Sequence, residues 1–215
     1  MKFDRPTRKK RAREAPFDLP HDLVPHPRAR QMAIRPRGQQ AQLSEAEIHT
    51  QVWQLHRGKI VPGTALLANT DLQCYCCFPR KLYADILKRC RTCTRPFLFY
   101  ANEQRFWFET LRLPVDVDCV DCPPCRKHAH RVKAAHARYQ AALHTPRLDA
   151  KDMKAFVDDA LLLFEVGAVR NAARLGAIKN RAQRELADYA GTQALARALA
   201  TARAAAAMGP FARHR

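Results

Sequence analysis

The sequence contains no apolar run approaching the roughly 18 residues that a helix needs to cross a bilayer. Its first 43 residues lack the short apolar core of a secretory leader. They also lack serine and contain Asp4 and Glu14, a composition that argues against an organelle transit peptide. We therefore expect an intracellular, cytoplasmic protein with no membrane partner.

Patterns of the common catalytic sites are missing as well. The sequence has no phosphate-binding glycine loop, no Ser/His/Asp order and no pair of carboxylates placed for acid–base work. We expect a protein that is not an enzyme. One catalytic alternative remains, in which Cys125, if it is not a metal ligand, is a reactive thiol beside Arg126.

Acidic residues are scarce where basic residues concentrate. Lys and Arg total 38 against 20 Asp and Glu, a net charge of +18. Residues 126–147 hold six basic residues and no acidic one, and residues 1–43 hold 11 basic and four acidic residues. Residues 90–125 are close to neutral. The excess positive charge therefore lies on two flanks of a neutral centre. Such charge indicates what the protein can bind and does not indicate its fold.

Three segments differ in composition. Residues 1–43 combine basic runs with scattered prolines and no apolar period, which predicts a disordered basic arm. Ser44 and Glu47 form a capping-box pattern that predicts a helix over about 45–57, within a domain spanning 44–147.

Residues 148–215 predict a helical hairpin or three short helices, capped at Asp149 and followed by an Ala/Arg-rich tail. Within that region Gly167, Gly176 and Gly191 are the expected breaks.

Eight cysteines include a repeated C-x-x-C spacing. Cys90 and Cys93 form one pair, and Cys119, Cys122 and Cys125 offer two overlapping pairs. Structural zinc takes four tetrahedral ligands, often from two such pairs. The spacing predicts a structural zinc site with four cysteine ligands. Buried free thiols and disulfides are the alternatives.

The residues around these pairs carry a family resemblance. They run Tyr-x-Asp, C-x-x-C, an aromatic strand, Ala-x-x-Gln with aromatics after it, and C-x-x-C-Arg. In this chain they are Tyr83, Asp85, Cys90, Cys93, Phe97, Phe99, Glu103, Gln104, Phe106, Trp107, Cys122, Cys125 and Arg126. From near Gly58 to Lys127 the chain thus resembles the probable zinc-ribbon domain family of mostly bacterial proteins.

The resemblance narrows the expected ligand set. It implies Cys90, Cys93, Cys122 and Cys125, because Arg126 follows Cys125, and it leaves Cys119 as the alternative ligand. The chain departs from the family at Thr94, where a glycine usually follows the first pair, and this implies a strained or altered turn. The fold class expected is α+β: a zinc ribbon with short strands and helices, followed by a mainly α-helical region.

Other candidates have competing interpretations. Cys74, Cys76 and Cys77 either join Cys119 or His56 in a second metal site or are incidental thiols. The aromatic pair Phe106 and Trp107 is either core or a stacking platform for bases. Of these, incidental thiols and core aromatics are favoured.

Two partner classes follow from the flanks. The leading hypothesis is non-specific binding of DNA or RNA, because cationic flanks contact phosphates. The residues expected to do so are Arg8, Lys9, Lys10, Arg11, Arg13, Arg126, Lys127, Arg131, Lys133 and Arg138. The alternative is a protein-interaction module in which the ribbon and the helical hairpin dock a partner. No feature of the sequence indicates the oligomeric state.

Overall fold

The computed structural model describes residues 17–35, 38, 43–51, 58–75 and 77–207. The chain divides into two compact units, residues 1–125 and 126–215. This boundary differs from the one placed after residue 147 on composition. The physical reason is that Ala135 and Tyr139 are buried in the core of the helical unit, so the residues before 147 belong to it.

A three-stranded antiparallel sheet forms the centre of the first unit, in the order β1 (Gly58–Ile60), β4 (Ile86–Arg89), β5 (Pro96–Phe99). A second ladder pairs β2 (Leu66–Leu67) with β3 (Leu82–Tyr83). Gly58 is paired with Lys88, and a Cβ at this position would collide with Ile86 Cγ2. A glycine is therefore required where β1 approaches β4.

The capping box predicted at Ser44 is present. The Ser44 backbone N–H donates to Glu47 Oε2 (2.8 Å) and the Glu47 N–H donates to Ser44 Oγ (3.3 Å). These bonds satisfy donors that the first turn of α2 (Glu45–Gln51) leaves open. Ile48 packs into the core beside Ile60. The predicted extension of this helix to residue 57 lies outside the described residues.

Part of the segment expected to be a disordered arm packs onto the first unit. Residues 17–35 include α1 (Ala29–Met32), and Val24 is buried, with its N–H donating to the Pro96 carbonyl at 2.8 Å. Arg35 pairs with the buried Asp85. Residues 17–35 are therefore ordered, contrary to the prediction, because contacts with distant residues hold a stretch that has no apolar period of its own.

The helix after β5 changes its geometry midway. α3 (Ala101–Arg105) runs directly into a π-helical turn over Phe106–Thr110. The fully buried residues Ala101, Gln104 and Phe108 recur at helical spacing on one face, and Phe106, on the opposite face, is 48% exposed. The expectation that Phe106 belongs to the core is wrong for this reason. Trp107 does pack inward, with its ring centroid 5.0 Å from that of Phe99.

The remaining chain is helical: α4 (Pro123–Leu143), α5 (Ala150–Glu165), α6 (Ala172–Glu185) and α7 (Ala190–Ala207). The Asp149 side chain caps α5, as predicted, by accepting from the Asp152 N–H at 2.7 Å. Gly167, with φ of 72°, follows the end of α5, whereas Gly176 is buried within α6 and breaks nothing. Three helices thus follow α4. None of the helices described here is both long and apolar enough to span a membrane.

Candidate metal centre

The first cysteine pair lies on the hairpin turn between β4 and β5. The Cys90 N–H donates to the Arg95 carbonyl and the Thr94 N–H donates to the Cys90 carbonyl, both at 3.0 Å. Antiparallel pairing down to Arg89 and Pro96 fixes the two ends of this turn. The turn therefore holds Cys90 and Cys93 on one side of a rigid hairpin.

The second pair lies at the start of a helix. α4 begins at Pro123, so Cys122 immediately precedes the helix and Cys125 lies in its first turn. Proline is favoured at the first helical position, because its missing N–H would be unpaired there anyway. Pro123 is therefore a local sequence signal for the start of α4.

The fold brings the four sulfurs together. The Sγ atoms of Cys90, Cys93, Cys122 and Cys125 all lie within 4.8 Å of one another, and those of Cys93 and Cys122 are 3.7 Å apart. The backbone N–H groups of Cys122 and Cys93 point at Cys90 Sγ, at 3.3 and 3.5 Å. This arrangement can hold a metal ion.

The surroundings shift the pKa values of two of the thiols in opposite directions. Burial raises the pKa of Cys90, but hydrogen bonds from the backbone N–H groups of Cys122, Cys93 and Thr92 outweigh it and lower the pKa to about 7. Burial and hydrogen bonds with the neighbouring thiols raise the pKa of Cys125. Four thiolates this close repel one another, so full deprotonation of the cluster requires a cation at its centre.

Asp121 joins the two cysteine pairs and was not identified from the sequence. Its carboxylate accepts from Thr92 Oγ1 at 2.8 Å and pairs with Arg91 at 3.2 Å. The Arg91 N–H donates to the Val120 carbonyl at 2.9 Å. The hairpin turn is therefore tied to the segment before Cys122 by contacts other than the sulfurs. Its position directly before Cys122 was the only signal available.

A small apolar layer surrounds the cluster. Phe97 and Phe99 of β5 are buried beside Cys90 and Cys122, and Val24 from the N-terminal segment closes the layer. Trp107 packs against it. With so few apolar side chains, this part of the unit depends on the sulfur cluster for its cohesion.

Cys119, the alternative ligand, is buried in the same layer. It is not in the group of sulfurs that lie within 4.8 Å of one another, and its Sγ is 3.5 Å from the Asp121 carbonyl oxygen.

Cys74 and Cys77 line a different cavity, which does not include Cys119. The structure therefore does not bring Cys119 to the C-x-C-C segment. The other two members proposed for a second site, Cys76 and His56, lie outside the described residues.

The basic residues expected to contact nucleic acid differ in exposure and in ion pairing. Arg8, Lys9, Lys10, Arg11 and Arg13 lie outside the described residues. On α4, Lys127, Arg131 and Lys133 are exposed and Arg126 is half-buried. Arg138 makes a two-pronged ion pair with Asp159, at 2.8 Å and 2.6 Å. Since Asp159 is only 5% exposed, Arg138 has a structural role within the helical unit.

Thr94 has a φ of 61°, as the missing glycine implied. A left-handed conformation costs a residue with a Cβ about 1–2 kcal/mol. Thr94→Gly is therefore expected to stabilise the hairpin by about 1 kcal/mol, after the larger entropy that glycine loses on folding. Hydrogen exchange of the β4 and β5 amides measures this gain. Thr94→Ala keeps the Cβ and is the matched control, and an equal gain in both variants would contradict the explanation.

Comparison with known proteins finds one similarity, which covers the site. Residues 84–134 match the model of a family described as a probable treble clef domain. No curated protein and no solved structure matches the chain. The matched segment contains all four clustered cysteines, the hairpin turn and the start of α4. It confirms the predicted likeness to a zinc-ribbon-like family: over these residues the chain is similar to a treble clef domain, with one cysteine pair on a hairpin and the other at a helix start.

Proposed function

We propose that Cys90, Cys93, Cys122 and Cys125 hold a structural zinc ion. The supporting observation is the sulfur geometry: Zn–S bonds of about 2.3 Å at tetrahedral angles place neighbouring sulfurs about 3.8 Å apart. The Cys93–Cys122 separation of 3.7 Å is close to this value. Four sulfur donors also match the chemistry of structural zinc sites. When bound, zinc supplies four metal–sulfur bonds that join the hairpin turn to the start of α4.

This site is non-catalytic in the proposal. A catalytic zinc ion keeps one position for water and takes three protein ligands, whereas four thiolates complete the tetrahedral shell. With all four cysteines as ligands, the reactive-thiol alternative for Cys125 does not arise. Protection of Cys125 from alkylation in the zinc-loaded protein, but not after chelation, is the expected result.

The basic residues of α4 are the proposed contact surface for DNA or RNA. Lys127 and Arg131 are one turn apart on one side of α4, whereas Lys133 projects from a different side, about 120° from Lys127 around the helix axis. Within the described part of the chain, none of these three forms an ion pair. Their charges are therefore available to phosphates, and such contacts give affinity that depends on salt but little on sequence.

The decisive variant removes these three charges. Neutralising them together (Lys127→Gln, Arg131→Gln, Lys133→Gln) is expected to lower affinity for a short DNA or RNA duplex at least 10-fold at low salt. It should also reduce the slope of log K against log salt by about 3, one unit for each lost phosphate contact. Fluorescence anisotropy at several salt concentrations measures both quantities.

A control of equal net charge separates a local surface from bulk charge. Lys151, Arg184 and Arg197 are exposed and lie on α5, α6 and α7. Changing all three to Gln should leave the affinity close to that of the wild type. Equal losses in the two triple variants would refute α4 as the contact surface. No binding by the wild type at low salt would refute nucleic-acid binding altogether.

Protein docking is the second candidate function. Tyr75 is 98% exposed and Phe78 is 75% exposed, and exposed aromatics are frequent anchors at protein interfaces. Affinity purification of the full chain after nuclease treatment tests it. One stoichiometric partner that is lost on Tyr75→Ala and Phe78→Ala would favour this function over nucleic-acid binding.

A further inference from the structure

A further C-x-x-C spacing lies outside the four-cysteine cluster. Cys74 and Cys77 follow this spacing, and both line one open cavity of about 260 Å³. Cys74 is half-buried and Cys77 is exposed. Pro114, Val115 and Asp116 line the same cavity, so two cysteines and an aspartate share it.

The loop that carries these cysteines is closed at its base. Gln73 Nε2 donates to the Arg80 carbonyl at 2.7 Å, and the Arg80 N–H donates to Gln73 Oε1 at 2.9 Å. Both residues are buried. These two hydrogen bonds between Gln73 and Arg80 fix the two ends of the six-residue loop 74–79. They therefore limit how far apart the two thiols of the loop can move.

The same base also contacts the 114–116 segment. Arg80 Nε donates to the Val115 carbonyl at 2.8 Å, and the Arg80 guanidinium lies 4.2 Å from the centroid of the Phe108 ring. One buried side chain therefore holds the loop and the 114–116 segment together.

We propose that Cys74 and Cys77 form a second metal site, which binds a soft monovalent cation of the Cu(I) class. Thiolate sulfur is the donor that Cu(I) prefers, and two sulfurs suffice for it. Zinc is a poorer fit, because it requires four ligands. In the part of the chain that the structure describes, the only group of three or more candidate ligand atoms within 4.8 Å of one another is the four-cysteine cluster.

The charges around the cavity suit this ion. Binding replaces two S–H protons, which pass to solvent, by two Cu–S bonds, and it leaves a complex of net charge −1. The Arg80 guanidinium, which donates to the carbonyl of the lining residue Val115, supplies a positive charge near the cavity, which is also lined by Asp116. Phe78, Pro114 and Val115 supply the apolar part of the lining. This site does not depend on the proposed binding of nucleic acid.

The test uses the full-length, zinc-loaded protein without oxygen. Cu(I) is offered as its bicinchoninate complex, so that uptake is measured by loss of the chelate absorbance, and zinc is measured in parallel by mass spectrometry. The expected result is one Cu(I) bound at unchanged zinc content. Cys77→Ser should weaken Cu(I) binding at least 100-fold, and Cys74→Ser should do the same.

A cysteine in the same loop provides the matched control. Cys76→Ser removes a neighbouring thiol but keeps the C-x-x-C pair, so Cu(I) affinity should be unchanged. Cys77 is exposed, so its substitution should leave the thermal transition of the zinc-loaded protein in place. Uptake that releases an equal amount of zinc and is indifferent to Cys74 and Cys77 would overturn the proposal, as would no uptake. Loss on Cys76→Ser would overturn the assignment to this pair.

Discussion

Replacing Cys122 with Ser is expected to unfold the region around the hairpin while the C-terminal helices stay folded. The same result is expected when a strong chelator removes the metal. Structural zinc sites contribute about 10–16 kcal/mol of apparent binding free energy in small zinc-binding peptides, which exceeds the stability of most small domains. Few contacts remain to compensate, because the apolar layer at the cluster is small.

The C-terminal helices should survive because they have a core of their own. Met153, Val157 and Leu163 of α5 are fully buried with Leu175 of α6 and Leu195 of α7. None of the residues in this core is a metal ligand in the proposal. Loss of the ion therefore removes no contact within it.

Hydrogen exchange followed by mass spectrometry separates the two responses. Amides of β4, β5 and α3 should lose protection after Cys122→Ser or chelation, and amides of α5, α6 and α7 should keep it. Cys77→Ser is the matched control, since this exposed thiol lies outside the cluster and should leave zinc content and protection unchanged. Continued protection of β5 in the metal-free protein would show that the cluster is not the source of its stability.

The local parts of this structure were predictable from the sequence. A capping box needs only Ser44 and Glu47, three residues apart, and a cysteine pair needs only its spacing. Such features depend on neighbours in the chain, so the helix start at 45 and the clustering of sulfurs could be foreseen. The proline at 123 carried the same kind of local signal for the start of α4.

The contacts that join distant segments were not predictable. Val24 is ordered by pairing with Phe97, and Arg35 by an ion pair with a residue 50 positions away. No period or spacing encodes such contacts. The π-helical turn was missed for a related reason, because Phe106, Trp107 and Phe108 are all aromatic and the sequence does not show where an extra residue enters the helix.

Among the residues that make contacts between distant segments, Asp85 has the largest expected effect on the stability of the first unit. Its side chain is 6% exposed, and its Oδ1 accepts from the Ala101 N–H, at the start of α3, at 2.7 Å. Its Oδ2 pairs with Arg35. One carboxylate therefore joins β4, α3 and the N-terminal segment.

Removing one partner of a buried ion pair typically costs about 3–5 kcal/mol, because the other charge stays buried without compensation. Asp85→Ala should lower the free energy of unfolding of the first unit by an amount in this range. Burial raises the pKa of Asp85, against the opposing effects of the Ala101 N–H and Arg35. Asp85→Asn should cost less than Asp85→Ala, because the amide oxygen can still accept the hydrogen bond from the Ala101 N–H.

A double-mutant cycle measures how much of this loss comes from the interaction between Asp85 and Arg35. Arg35→Ala leaves the Asp85 carboxylate buried and unpaired, so it should also destabilise, whereas adding Arg35→Ala to Asp85→Ala should cost little more. The opening free energies of β4 and α3 amides, from hydrogen exchange of the zinc-loaded protein, provide all four values. Strictly additive losses would mean that the two residues act independently. The N-terminal segment would then not be held to the first unit through Asp85, and its order would have to come from the pairing of Val24 with β5 alone.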